Sequence, residues 1–192
     1  MIRAVCLAAA AALLLCLPLA ADDDGHDPTK VPELEARWAV QRVVASLNRP
    51  GADRLARAAA KANEVEDLAL VFKPRQRKGL GIGPAPQPGL PDGIEQALLL
   101  MVRKRPEADL LVKRQDDLVR SAEVIQAVGH IFQYKTPQGH KRASEWPTFA
   151  AEMRQAGQEL ESAYRSRSPE LVQAAARRTS FACNACHEVF RD

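Results

Sequence analysis

The chain has 192 residues, with 27 Lys plus Arg against 24 Asp plus Glu and a formal net charge of +3. So even a balance gives no electrostatic case for nucleic-acid binding. Aromatic residues make up 5 % of the sequence, and its wealth of Ala, Leu, Arg, Glu and Gln favours helix over strand, so an all-α fold is expected.

Residues 1–21 have the three parts of a secretory signal peptide: Arg3, an apolar run, then Pro18-Leu19-Ala20-Ala21. Export to the periplasm is therefore expected, with no stable membrane span once the signal is removed. Cys16 follows three leucines, which argues against a lipoprotein. Cys6 and Cys16 leave with the signal, so the exported chain keeps Cys183 and Cys186 alone and has no disulfide framework. Residues 22–31 are acidic, contain Gly25 and Pro28, and read as a flexible leader in which His26 is solvated.

Residues 32–73 read as an N-terminal helical pair. Leu34, Trp38, Val40, Val44 and Leu47 mark the inner side of the first helix, and Pro50-Gly51 ends it. Leu55, Ala58, Ala59, Ala62, Val65, Leu68, Ala69 and Phe72 mark one buried face of a second helix running from 52 to 72. Residues 74–91 form a Pro/Gly-rich basic loop. Its glycines match neither the Walker nor the dinucleotide spacing, and the basic run at 73–78 reads as solvated, with steering of an acidic redox partner as the alternative.

Residues 92–192 are expected to form a helical bundle. Asp92 and Glu95 have the spacing of a capping box, opening a helix with Ile94, Ala97, Leu98 and Met101 inward. Pro106 opens the next, which carries Leu111, Leu118, Ala122, Ile125, Val128 and Phe132. A further helix has the stripe Trp146, Phe149, Ala150, Met153, Ala156, Leu160 and Tyr164. Ser168-Pro169 caps the last helix, which runs to about Phe190. Residues 49–55 match 105–111 at five of seven positions, open to either a duplicated helix pair or chance.

That last helix carries Cys183-Asn184-Ala185-Cys186-His187, the attachment signature of a c-type haem. Two thiols three residues apart on one helical face can each add to one vinyl group of the porphyrin, and the adjacent imidazole then reaches the iron. Three other uses of the pair fit less well. A thioredoxin-type pair needs its thiolate at a helix N-terminus, whereas this one sits in the last turns. A zinc site needs two more ligands, and His26, His130 and His140 stand at no recognisable spacing. A disulfide across two residues closes almost no loop.

Residues 108–191 resemble the cytochrome c prime family: a helix, a Pro/Gly loop, the helix at 146–164, a short turn and a final helix closing on the Cys-x-x-Cys-His motif. The resemblance implies an antiparallel four-helix bundle with Cys183 and Cys186 as thioether anchors of a single haem c and His187 as proximal iron ligand. It also implies redox partner proteins, and a homodimer as one assembly open to the chain. The family's distal residue comes from the first helix of the bundle. This chain differs in its extra N-terminal pair and in having no Met across 37–47, so the helix that covers the distal face stays open.

The expected function is single-electron transfer by an exported monohaem cytochrome that is not an enzyme, since no paired acids and no nucleophile with its base stand out. Two alternatives are a five-coordinate haem protein binding nitric oxide or carbon monoxide, and a haem subunit docked on a larger redox complex through the loop at 73–78. As sixth ligand Met101 ranks first among side chains, being the one Met on a helix able to open the haem bundle. Met153, His130 and His140 follow, and an open site remains the alternative.

Overall fold

The first and last helices start where the sequence supplies a local reason. Pro32, followed by Glu33 and Glu35, sets the first turn of α1 (Pro32–Val44). Ser168 caps α8 (Pro169–Phe190), its hydroxyl accepting the Leu171 N–H at 3.3 Å, with Pro169 in the first turn. In a computed structural model, residues 31–137 and 139–190 are described; the expected signal peptide and the leader up to residue 30 lie outside the described residues. Between α1 and α8 come α2 (Ala52–Ala62), α3 (Val65–Ala69), α4 (Ile94–Arg103), α5 (Ala108–Lys113), α6 (Gln115–Phe132) and α7 (Trp146–Ser166). The described residues are thus all-α, with no strand.

Two helices expected to be continuous are broken. At Asn63 the backbone turns extended and the side-chain amide donates to Ala59 O at 2.9 Å, ending α2 and separating it from α3. At Arg114 (φ −118°, ψ 17°) the chain leaves the helix between α5 and α6, and its guanidinium pairs with Asp117 at 2.8 Å. The two similar heptads therefore open different structures, α2 with 11 residues and α5 with 6.

The centre of the molecule is α6. Every residue at 124–132 is buried, so this helix is covered on all sides, by α1 and α2 on one flank and α7 on the other. The approach of α6 to α7 is close: a Cβ on Gly129 would lie 2.7 Å from the Arg154 backbone nitrogen, and one on Gly157 would lie 2.9 Å from that of Gln126. From α7 the packing continues to α8 and from α8 to α4. Val40, Val43 and Ala56 belong to the same core as Ile125, Leu160 and Val172, so residues 31–192 are one unit and the N-terminal pair is part of it.

The capping box expected at Asp92 and Glu95 does not form. Gly93 occupies the cap, the Asp92 carboxylate accepts from both the backbone and the guanidinium of Arg75, and Glu95 pairs with Lys73. These contacts, with Lys78 on Glu33 and Ile82 and Leu90 buried, fold the Pro/Gly-rich stretch onto the core.

Two expected inner faces are met in part: Val40, Val44, Ala59 and Leu68 are buried as expected, and other members of each face are not. The buried side of α1 is Ala36, Val40, Val43 and Val44, while Leu34 and Trp38 are exposed. The buried side of α2 is Ala52, Ala56, Ala59 and Ala60, while Leu55 is half-buried and Ala58 and Ala62 exposed. Both helices carry two apolar faces, and the faces lined by Ala and Val allow the closer approach to the core.

Candidate functional site

The end of α8 is fixed on both sides of the Cys-x-x-Cys-His motif. One turn before it, the buried Thr179 hydroxyl lies 2.9 Å from Ala175 O and 3.2 Å from Ala156 O, tying α8 to α7. One turn after it, Phe190 meets Trp146 edge-on at 5.0 Å and Phe149 at 5.7 Å between ring centroids, with His140 tilted against it at 4.7 Å. Trp146 is itself held by its indole N–H, which donates to Phe132 O at 2.7 Å. Pro147 permits this, since it places Trp146 in the first turn of α7, over the end of α6.

Between these two anchors, helical spacing of i, i+3 and i+4 sets Cys183, Cys186 and His187 within about 100° of arc. Cys183 and Cys186 are half-buried and His187 is exposed. Burial pushes the Cys183 thiol up to about 11, and the neighbouring Cys186 and Glu95 push in the same direction. Burial alone takes Cys186 up to about 11. The C-terminal end of the helix dipole opposes a thiolate as well. At neutral pH both groups are S–H, the reverse of what a redox dithiol needs.

Both thiols are free, and among the described residues no group of three His, Cys, Asp or Glu converges on a point that a bare ion could occupy. A haem uses the three residues separately: each sulfur bonds the porphyrin edge and only the imidazole meets iron. Side chains that share a face without converging fit that division of labour.

Met101 is placed elsewhere. It is 1 % exposed, and its sulfur accepts the Tyr164 hydroxyl at 3.2 Å. Its neighbour Val102 lies level with Gln173, whose amide reaches Val102 O at 3.4 Å. His187 is 14 residues further along α8, about 20 Å by helical rise. Met101 and His187 are therefore not brought to opposite faces of one iron. The sequence expectation misses this because an apolar stripe does not report which level of the neighbouring helix it meets.

Met153 is half-buried against the core. His130 is fully buried, and its Nε2 is 2.8 Å from the exposed Asp53 carboxylate. Burial lowers its pKa, so the ring is neutral and Nε2–H donates to Asp53. His140 belongs to the aromatic clamp on Phe190. Two residues of the site escaped sequence reading: Glu95, which acts on Cys183 from the first turn of α4, and Phe190 in its clamping role. An aromatic three residues after the motif histidine was the available signal for the second; nothing local signals the first.

No family model, no curated protein and no solved structure matches this chain. Among the described residues no helix is long and apolar enough to cross a membrane.

Proposed function

We propose that this is an exported, periplasmic monohaem c-type cytochrome that passes single electrons between redox partner proteins. The observation that carries the reading is the Cys183, Cys186 and His187 face on a helix end fixed on both sides, with both thiols protonated. In this reading Cys183 and Cys186 would hold the porphyrin through thioether bonds, each S–H adding across one vinyl group, and His187 would be the protein's ligand to iron. When bound, the haem supplies a one-electron couple. The chain's own part is to hold the porphyrin edge against α8, while Glu95 sets a negative charge nearby. The helices α4, α6, α7 and α8 would then make the haem-bearing four-helix bundle.

Co-expression with haem-attachment machinery, followed by a denaturing gel stained for haem, tests the proposal. Wild type stains, the single variants Cys183→Ala and Cys186→Ala lose most of the signal, and the double variant loses all of it. An unstained wild-type band ends the reading.

The position of Met101 favours a second reading, a five-coordinate haem protein that binds nitric oxide or carbon monoxide. Carbon monoxide added to the reduced protein separates the two, since an open iron binds it at once and a six-coordinate iron does not. Docking through the basic stretch is less well supported, because Lys73, Arg75 and Lys78 are already paired with Glu95, Asp92 and Glu33.

A further inference from the structure

The imidazole of His130 joins two helices from inside the core. Its side chain, on α6, is 1 % exposed, and its Nε2 lies 2.8 Å from the carboxylate of Asp53 in the first turn of α2. The other ring nitrogen, Nδ1, is buried and has no hydrogen-bond partner among the described residues. A neutral ring with its proton on Nε2 satisfies Asp53 and leaves only a lone pair unmatched inside. Around it, α2 supplies Asp53 and Arg57, whose guanidinium stands 4.2 Å from the centre of the Tyr134 ring; that ring is tilted against the imidazole at 5.8 Å. From α7 comes the charge of Arg154. The buried residues of the other helices on α6 are apolar: Ala36, Val40, Val43 and Val44 of α1, Leu68 of α3 and Leu111 of α5. Just past α6, Lys135 pairs with Glu64 at 3.0 Å, beyond the end of α2.

A second proton on the ring has one place to go, Nδ1, where it would form a buried, charged N–H with no acceptor. The compensation is small, because Asp53 is 72 % exposed and water screens its attraction, while Arg154 repels the new charge. If α2 lifts from α6, both ring nitrogens reach water and the ring takes its proton at the ordinary value of about 6.5. Burial holds the closed ring below that value, so opening takes up a proton and falling pH favours the open form. The grip on α2 is also light, since its fully buried side is Ala52, Ala56, Ala59 and Ala60, which bury little apolar area each. We infer that the His130–Asp53 contact is an acid-released latch, which holds α2 on α6 at neutral pH and lets it go as the medium turns acidic. Nothing in this depends on the haem.

The test is amide hydrogen exchange of the full chain between about pH 7.5 and 5, read as protection factors corrected for the intrinsic pH dependence of exchange. Protection of the α2 amides is expected to fall below about pH 6.5 with a slope approaching tenfold per pH unit, while α8 loses less. His130→Gln, which keeps a donor for Asp53 and cannot charge, flattens that slope. Asp53→Asn, at an exposed position, keeps the acid response and carries it to lower pH, because the attraction that offsets burial is gone. A His130→Gln chain as acid-sensitive as wild type overturns the inference. So does α2 protection that rises on acidification, which would mean that the imidazolium–carboxylate pair outweighs burial, and so does equal loss in α2 and α8, which would be unfolding of the whole molecule. Should His130→Gln fail to fold, Asp53→Asn decides: an α2 that no longer responds to acid in that variant overturns the latch.

Discussion

The two ends of α8 are built on different terms. At its start Val172 and Ala176 are fully buried, Met101 is sealed under the Tyr164 hydroxyl, and burial pushes the Tyr164 pKa up. At its end the neighbours of α8 give way to half-buried thiols and an exposed imidazole, and rigidity comes from three rings around Phe190. One end spends its apolar surface on a sealed core. The other keeps an accessible face and is held by contacts just outside it. A site that must admit a large flat group needs that second construction, because a fully packed helix end has no room for one.

Breaking the sealed end should cost the most stability and leave the motif end alone. Met101→Ala removes a fully buried side chain and strands the Tyr164 hydroxyl, so a loss of about 3 kcal/mol is expected in urea unfolding. The optical spectrum of the haem-loaded variant should match wild type. A changed iron spectrum would mean that the two ends are not separate.

Breaking the clamp should do the opposite. Phe190→Ala removes the ring that joins α8 to Trp146 and Phe149, and about 2 kcal/mol is expected because Phe190 is only half-buried. Its distinguishing effect is on haem loading, which should fall while Met101→Ala loads normally. Equal loading in the two variants would show that the clamp has no part in presenting the motif.

A third effect is a pH dependence of the haem-free chain. Unfolded thiols ionise near about 8.5, whereas in the folded chain both are pushed up to about 11. Stability is therefore intact below the unfolded value and is lost as pH rises towards the folded one, because the unfolded chain releases its protons first. Thermal melts from pH 8 to 11 should show a steeper alkaline decline for wild type than for the Cys183→Ala/Cys186→Ala double variant. Curves that run parallel would mean that the folded thiols feel no burial.

Where structure depends on neighbours in sequence, the sequence alone determined it: the start of α1 at Pro32, the Ser168 cap of α8, and the placing of Cys183, Cys186 and His187 on one helical face. The inner faces of α4 and α7 were legible too, since each offers the core a single apolar stripe, from Ile94 to Met101 and from Trp146 to Tyr164.

Tertiary structure decided the rest, wherever two local solutions competed. Asp92 and Glu95 could have capped α4, but Arg75 and Lys73, some twenty positions away, hold them instead. Both α1 and α2 could bury either of two faces, and the closer packing of Val and Ala against α6 won, leaving Leu34 and Trp38 outward and Leu55 half-buried. The stripe containing Met101 is buried as its spacing demands, but its level against α8 follows from where Gln173 and Tyr164 meet it. Periodicity specifies a face and local polar groups specify an end, whereas register and choice of partner come from long-range packing that no window of neighbouring residues contains.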